Sequence, residues 1–403
     1  MSRLIRHRSV AAVVRPLCVL GGLLFFSGFS ALALAQENGC TMRELPASTV
    51  AGLDFQDDLD FRELLPAIAQ SQQLLQKLPP ERQYQLCGRS YSVAWLRDSM
   101  REFETVVRHS PTTAVLKKQL AAKFTLCQAG SSERPEKVLL TGYYEPQFAG
   151  SLQPDAVYRH PLYRRPADLV EGERDGKKQP GRYQDGQLLP YWSRAEIEEG
   201  NLLQGDELVY LSDPLAPFVL QVQGSGRVQL PDGTMRRVQF AGKNGRPYRS
   251  IGKLLVEEGV LAKAFVDLPR ILRYLKTVPV AERNRILRYN ESYVFFRWGN
   301  NQDAGPLGCF GVPLTAGRSL AVDQRCVPPG TLGFLRSRKP RVDQQGAIVG
   351  WEPFSRFVVN QDSGSAIVGS GRADLFWGSG SYAQTAAGSA KHRAELLFLI
   401  KKK

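Results

Sequence analysis

Carboxylates are the side chains in this sequence whose setting could support acid–base chemistry. Three aspartates of the C-terminal quarter, Asp323, Asp362 and Asp374, each lie at or near a strand-like segment close to glycine. Taken alone, an aspartate in that setting is most often a turn former. Asp374 differs from the other two because the residues around it are apolar and aromatic.

The neighbours of Asp374 predict a partly desolvated carboxyl group. Strand alternation puts Phe376 on the same side as Asp374, whereas Leu375 and Trp377 lie on the other side. A carboxyl beside aromatic surface favours its protonated form. A protonated carboxyl is the general acid that cleavage of a glycosidic bond requires. Phe376 and Trp377 are also of the type that stacks on sugar rings.

Other catalytic arrangements do not occur in the sequence. The histidines beyond the N-terminal segment, His109, His160 and His392, show neither the H-E-x-x-H pattern nor a paired metal spacing. Phosphate-binding and dinucleotide glycine patterns are missing, and no G-x-S-x-G elbow precedes a helix. Gly224-Ser225-Gly226 is therefore interpreted as a turn. We expect neither a metal nor a cofactor.

The N-terminus predicts export. Residues 1–35 combine a basic start, an apolar run over 18–32 and an A-x-A cleavage pattern at 33–35, which together are typical of a signal peptide. A membrane anchor is the alternative, although glycine and serine interrupt the apolar run. The formal net charge of +14 suits an anionic partner such as a membrane surface or a cell-wall polymer. Export argues against nucleic acid.

Five cysteines follow the signal segment, in a compartment that permits disulfides. Proximity along the chain suggests the pairs Cys87–Cys127 and Cys309–Cys326, which leaves Cys40 unpaired. The residues before Cys40 are not the small apolar context expected ahead of a lipid-modified cysteine. Lipid anchoring is therefore not expected, while peripheral attachment to a membrane stays open.

The N-terminal part of the mature chain is predicted to be helical. An apolar stripe from Val93 to Val107 predicts an amphipathic helix with Ser90 as its cap. A second helix is predicted with Leu116, Leu120, Phe124 and Cys127 on one face.

From residue 137 onward, short β segments separated by turn residues dominate. Phe218–Gln223 is predicted as one of the strands, and 165–205 as long loops. Helical periodicity returns over 250–258 and over 269–289, with a break at Pro279. The pattern indicates an α+β chain, mainly β, with barrel or sandwich domains.

Several segments in a fixed order resemble one known family. The C-terminal segment from Asp323 to Gly378 resembles the domain named for three aspartates. The middle segments are Thr141-Gly142-Tyr143-Tyr144-Glu145-Pro146, Val222-Gln223-Gly224-Ser225-Gly226, Ala241-Gly242-Lys243-Asn244-Gly245 and Tyr248-Arg249-Ser250-Ile251-Gly252-Lys253. Each segment is weakly specific by itself, but the ordered set over about residues 90–390 resembles the membrane-bound lytic murein transglycosylase A family.

The resemblance implies a double-psi β-barrel domain, built from both chain ends, with a smaller inserted β-domain and a glycan-binding groove between them. The implied division is a signal peptide at 1–35, a helical part of the barrel domain at 36–141, the inserted domain at 142–303 and the three-aspartate part of the barrel at 304–400.

The resemblance also implies an activity, namely cleavage of the β-1,4 bond between N-acetylmuramic acid and N-acetylglucosamine in peptidoglycan. The muramic acid C6 hydroxyl, rather than water, would attack C1 and leave a 1,6-anhydro end. Such an enzyme would be an exported monomer that faces the cell wall, in the periplasm or at the outer membrane.

The resemblance assigns roles to residues of this chain. Asp374 would be the single catalytic acid and base, Asp362 would shape or polarise the site, and Asp323 would be structural. The residues expected to contact substrate are Tyr144, Gln223, Ser225, Lys243, Asn244, Phe376 and Trp377 together with Asp362.

Three alternatives remain open at this point. A hydrolase of the same glycan would need a second carboxylate that holds water opposite the acid, and Asp362 is the candidate. A cell-wall-binding module would need no catalysis. An aspartic-protease-like pair of Asp362 and Asp374 is the third, since Asp362-Ser363-Gly364 matches the usual triplet once.

Overall fold

A computed structural model of the chain describes residues 40–110, 112–263, 266–301, 303–364 and 366–403. The predicted signal peptide at 1–35 lies outside these residues. Within them, none of the helices has both the length and the apolar character needed to cross a bilayer.

Helices and strands alternate along the chain. The helices are α1 Ala47–Gly52, α2 Leu64–Gln76, α3 Val93–Arg108, α4 Thr113–Lys123, α5 Arg194–Gly200, α6 Ala216–Gln223, α7 Ile251–Glu257, α8 Leu268–Thr277, α9 Val280–Arg288 and α10 Ser381–Ser389. The strands up to residue 190 are β1 Thr41–Glu44, β2 Gln83–Leu86, β3 Arg89–Ser92, β4 Phe124–Gly130, β5 Val138–Glu145, β6 Gln147–Ser151, β7 His160–Tyr163, β8 Val170–Arg174, β9 Lys177–Gln184 and β10 Gln187–Pro190. The later strands are β11 Glu207–Leu211, β12 Ser225–Gln229, β13 Met235–Lys243, β14 Val294–Trp298, β15 Ser319–Ala321, β16 Leu332–Val342, β17 Ile348–Asp362, β18 Arg372–Ser379 and β19 His392–Lys401.

Six strands close into a barrel that combines both parts of the chain. They follow the order β19-β16-β17-β15-β18-β5, and β5 pairs again with β19. Strands β4 and β1 extend the sheet from β19. The apolar residues of β17 and β19 and the buried stripe of α3 belong to one continuous hydrophobic core.

A second six-stranded sheet is formed entirely by the middle of the chain. Its order is β14-β13-β12-β6-β11-β7, and a parallel bridge between Arg164 and Phe296 joins its two end strands. This sheet has its own core around Val209, Val238 and Phe296, while α6 to α9 form a further apolar cluster beside it. The predicted fold, an α+β chain that is mainly β with a barrel domain and an inserted β-domain, is confirmed.

The chain crosses between the two sheets at Pro146 and again after Trp298. The buried Glu145 carboxylate accepts hydrogen bonds from Arg237 (2.5 Å) and Arg227 (2.9 Å) on the second sheet. Arg237 also donates to the backbone carbonyl of Asp303 in the return crossing. A buried carboxylate requires such partners, so this cluster ties both crossings to one point. The division at 142–303 stays a proposal, with β5 running on to Glu145 before the first crossing.

A buried ion pair anchors the N-terminal segment to the barrel. Arg318 donates to both carboxylate oxygens of Asp57, at 2.6 and 2.9 Å, and neither side chain is exposed. The remaining donors of Arg318 reach the carbonyls of Arg62 and Phe357, and the Phe357 N–H donates to Asp57. Every charge is therefore satisfied, which is the condition under which a buried pair is tolerated.

Some of the predicted elements are wrong in detail. The cap of α3 is Ser92, whose hydroxyl accepts from the Trp95 N–H, whereas Ser90 lies in β3. The second helix ends at Lys123, and the fully buried β4 follows because Phe124 to Gly130 adds a strand to the barrel sheet.

The middle of the chain contains two larger errors. Phe218–Gln223 is helical, since Pro217 opens α6 and its apolar residues pack inward. The segment 165–205 is not loop: it contains β8, β9, β10 and α5. Its hairpin turns are Asp175-Gly176 and Asp185-Gly186, with positive φ at every position, which is the Asp-Gly signature of tight hairpins.

The disulfides are Cys87–Cys127, as predicted, and Cys40–Cys326. The predicted pair Cys309–Cys326 is wrong, and Cys309 is a free, exposed thiol. Chain proximity fails here because β1 pairs with β4 beside the barrel, which brings Cys40 next to a loop 286 residues away in sequence.

Replacing Asp57 by alanine leaves Arg318 buried without its partner. We expect a loss of about 3–5 kcal/mol in the free energy of unfolding, the cost of breaking a buried pair. Urea denaturation followed by circular dichroism measures it. The control is Asp98→Ala, which removes the exposed ion pair with Arg101 and should change stability by less than about 1 kcal/mol. Equal losses in both variants would contradict the anchoring role of Arg318.

Candidate active site

The barrel register brings two of the three aspartates to the same level. Strand β15 lies between β17 and β18, and Ala321 is paired with Asp362 on one side and with Asp374 on the other. The two aspartate Cα atoms are therefore two strand spacings apart, about 10 Å. Twelve residues separate them in sequence, so the pairing with β15 is what fixes their distance.

Asp374 is a carboxyl group with little to stabilise its charge. Its side chain is 22% exposed, and its buried Oδ1 has no hydrogen-bond partner among the described residues. The nearest cation is the Arg372 guanidinium, 3.8 Å from Oδ1. Burial raises the pKa of Asp374 to about 6; Arg372 opposes the shift and the Asp362 charge adds to it. Asp374 is thus half protonated near pH 6, where an ordinary aspartate is ionised, and can act as a proton donor there.

Asp362 has the opposite environment. Its Oδ1 accepts from the backbone N–H groups of Cys309 (2.8 Å) and Ser363 (2.9 Å), and its Oδ2 accepts from the Tyr143 hydroxyl (2.9 Å). Burial raises the pKa of this carboxyl above its ordinary value, although the three donors and the Cys309 thiol lower it in part. Of the two carboxyls, Asp362 is the one whose ionised form has hydrogen-bond support.

Asp323 does not join the pair. Its carboxylate is held by Arg325 and by the Gly369 N–H at 2.6 Å. Burial acts to raise its pKa, but these hydrogen bonds outweigh burial and the pKa is lowered. Asp323 therefore fixes the segment that leads into β18, which agrees with the structural role expected for it.

The aromatic residues divide between the two faces of β18. Phe376 lies on the Asp374 face, where its ring is 5.2 Å from that of Tyr143. Trp377 turns inward and contacts Phe354 and Tyr382. Phe376 is only 3% exposed and Trp377 only 9%. Both rings therefore form walls of the site more than open stacking surfaces.

The two tyrosines of the Tyr143-Tyr144 pair lie on opposite faces of β5. Tyr144 points into the barrel core, whereas Tyr143 faces Asp362. Strand alternation contained the signal: β5 is parallel to β18, with Thr141 opposite Asp374 and Tyr143 opposite Phe376, so Tyr143 shares their face.

The second six-stranded sheet and the helices α6 to α9 beside it are called the second unit here. A cleft of about 230 Å³ lies between the barrel and the helices of this second unit. Its barrel side is formed by Gly142 and by Ala387 and Gly388 of α10. The opposite side is formed by Phe218, Val222, Gln223, Tyr248, Ser250, Ile251, Gly252, Val266, Asp267, Leu268 and Ile271. Gln223 accepts a hydrogen bond from the Tyr144 N–H, so it joins the cleft to β5.

The remaining residues expected to contact substrate differ in solvent exposure and in the hydrogen bonds they already make. Lys243 is exposed at the end of β13, whereas Ser225 is buried at the start of β12. The Asn244 side chain is buried and already bonded to backbone groups of Trp192, Glu291, Tyr293 and Arg246. We therefore assign Asn244 a structural role in the second unit.

Among the described residues, no cluster of three or more histidine, cysteine or acidic side chains is arranged to hold a metal ion. The chemistry available at the site is that of the two carboxyls and the tyrosine. Fold and site together define a class: a two-unit β protein with a pair of aspartates in its barrel wall and a cleft between the two units. Neither Asp374 nor Asp362 is among the residues that line this cleft.

Comparisons with known proteins agree with this class. The family described as "MltA specific insert domain" matches residues 139–297, and the family described as "3D domain" matches residues 318–400. The membrane-bound lytic murein transglycosylase A of Vibrio cholerae is 33% identical over 268 residues, 66% of each chain. That match spans just under two thirds of the relative's length.

Two solved structures extend the similarity to most of the chain. The lytic transglycosylase LtgG of Burkholderia pseudomallei is 30% identical, with 90% of this chain and 96% of that one covered and a TM-score of 0.53. A membrane-bound lytic murein transglycosylase from Agrobacterium tumefaciens is 29% identical, with 90% and 98% covered and a TM-score of 0.73. The chain belongs to the membrane-bound lytic murein transglycosylase A family.

The Asp374 carboxyl should lower stability as the pH rises. Its unfolded pKa is about 3.9 and its folded pKa about 6, so the folded state loses about 2–3 kcal/mol between pH 4 and pH 8. Asp374→Asn removes this loss. We expect the stability of the variant relative to the wild type to rise by that amount over this range in urea titrations. Asp98→Asn is the exposed control, and a pH-independent difference for Asp374→Asn would refute the buried-carboxyl account.

Proposed function

We propose that this protein is a lytic transglycosylase that cleaves the β-1,4 bond between N-acetylmuramic acid and N-acetylglucosamine in peptidoglycan. The observation that carries the proposal is the Asp374 carboxyl: burial raises its pKa, and its buried oxygen has no hydrogen-bond partner in the part of the chain that the structure describes. The relatives named above as lytic murein transglycosylases support the choice of substrate.

The reaction needs one carboxyl that acts twice. Asp374 first donates its proton to the bridging oxygen, and the bond from that oxygen to C1 of the muramic acid breaks. The Asp374 carboxylate then takes the proton of the C6 hydroxyl while the C6 oxygen bonds to C1. The products are a free 4-hydroxyl and a 1,6-anhydro end, and Asp374 is protonated again without net use of water.

Asp362 is suited to balance charge during this reaction. The transition state of glycosidic cleavage develops positive charge at the ring oxygen and C1. An ionised carboxylate in the same wall stabilises that charge. The oxygens of Asp362 already accept three hydrogen bonds, so they are less available to hold and activate a water molecule. This favours attack by the C6 hydroxyl over hydrolysis.

The cleft between the two units is the proposed binding site for a part of the glycan strand away from the scissile bond, because neither Asp374 nor Asp362 lines it. It offers apolar surface from Phe218 and Ile251, and its polar groups include Gln223 and Ser250. Mixed surfaces of this kind suit sugars, which present both apolar faces and hydroxyls. We further propose that the protein acts as a monomer in the cell envelope after export, in the periplasm or at the outer membrane. The basic chain would favour peripheral contact with anionic surfaces.

Digestion of purified peptidoglycan sacculi tests the proposal. Wild-type protein should release fragments one water lighter than hydrolytic products, and Asp374→Asn should release none because it cannot donate a proton. The measurement is mass spectrometry of the soluble fragments. Asp98→Asn, with a neutralised carboxylate on the exposed face of α3, is the matched control and should be as active as the wild type.

Each other outcome identifies an alternative. Fragments with reducing ends would replace transglycosylation by hydrolysis, with Asp362 as the next residue to vary. Release of stem peptides in place of glycan fragments would indicate a protease-like reaction. Binding to sacculi without release of fragments by folded wild-type protein would leave a cell-wall-binding module.

A further inference from the structure

Tyr143 is the aromatic residue of the site for which sequence reasoning assigned no role. It lies on β5, half-buried, and its hydroxyl donates to Asp362 Oδ2 at 2.9 Å. Its ring packs at 5.2 Å against Phe376, which lies on the Asp374 face of β18. Tyr143 therefore touches both walls that carry the aspartates, β17 through Asp362 and β18 through Phe376.

The groups facing Asp362 come from four elements. Tyr143 comes from β5, and the thiol and N–H of Cys309 come from the segment before β15. Asp374 comes from β18, with Arg372 behind it at 3.8 Å. The Ser363 N–H is adjacent in the chain. The side-chain groups that hydrogen-bond Asp362 are the Tyr143 hydroxyl and the Cys309 thiol, and Tyr143→Phe removes the hydroxyl without altering the backbone.

We propose that Tyr143 is a positioning residue for the cleavage reaction: its hydroxyl holds the Asp362 carboxylate in the ionised form beside the reacting sugar, so that Asp374 is the carboxyl that carries the proton. This inference rests on the proposed function and adds a residue that sets the division of roles between the two aspartates.

The physical basis is the asymmetry between the two carboxyls. A hydrogen bond donated to an ionised carboxylate favours that form, and Asp362 receives three such bonds. Asp374 receives none at its buried oxygen. Like charges in one site also oppose each other, so holding the charge on Asp362 keeps the proton on Asp374. Burial raises the pKa of Tyr143 well above its usual value, so Tyr143 stays a neutral donor throughout.

Tyr143→Phe removes the hydroxyl and keeps the ring. We expect kcat on soluble uncrosslinked glycan strands to fall about ten- to hundredfold, the factor that a hydrogen bond to a charged group represents, with KM within about twofold. Loss of the donor also raises the pKa of Asp362, so the acidic limb of the pH–rate profile should move to higher pH and the active range should narrow.

Tyr191→Phe is the matched control. Tyr191 is also a buried tyrosine, and its hydroxyl donates to the Asp168 carboxylate at 2.8 Å, but it lies in the second unit away from both aspartates. A structural role for Tyr143 predicts the same result for both variants, namely lower stability with an unchanged pH profile. That result, or a kcat for Tyr143→Phe within twofold of the wild type, would overturn the inference.

A double-mutant cycle tests whether Tyr143 acts through Asp362. Adding Tyr143→Phe to Asp362→Asn should cause no further loss of kcat, whereas additive losses contradict the inference.

Should Tyr143→Phe fail to fold, Asp362→Asn alone remains decisive, since it should abolish the acidic limb of the pH–rate profile. An unchanged limb in that variant overturns the division of roles. Wild-type protein that forms no anhydro ends would refute the proposed function itself, a separate outcome.

Discussion

The closed barrel imposes one constraint on which the site depends: β15 must lie between β17 and β18. Its Ala321 is paired with an aspartate on each side, so neither aspartate Cα atom can move toward the other without opening the sheet. The separation is large enough that the two groups keep distinct environments. The buried oxygen of Asp374 has no hydrogen-bond partner among the described residues, whereas the Asp362 oxygens accept three hydrogen bonds that favour its ionised form.

An unsatisfied buried carboxyl destabilises the fold, so the surrounding structure has to maintain it. The fully bonded Arg318–Asp57 pair fixes the chain immediately before β15. Asp323 fixes the segment before β18 through the Gly369 N–H, and Ser370 in that segment is bonded to Thr41 beside the Cys40–Cys326 disulfide. The strands that carry the two aspartates are thus held from outside the site, which is how local strain is tolerated at functional positions.

The sequence was informative where periodicity and burial act along one segment. Asp374 could be selected because strand alternation sets it beside Phe376, and the stripe of α3 could be found by its spacing. Contacts between distant segments could not be found in this way. Cys40 meets Cys326 because β1 pairs with β4, and Tyr143 meets Asp362 because β5 is parallel to β18. The helical state of Gln223 depends on the packing of α6 in the second unit. Each of these required the topology, which a single sequence does not contain.

The central claim is that the Asp374 carboxyl stays partly protonated up to about pH 6 in the free protein. A titration of aspartate carboxyl carbons by NMR, with Asp374 assigned by comparison with Asp374→Asn, measures this directly. The account predicts a midpoint near pH 6, raised by burial and by the Asp362 charge. A midpoint near the ordinary aspartate value of about 3.9 would contradict it, because Asp374 would then be ionised and unable to serve as the acid.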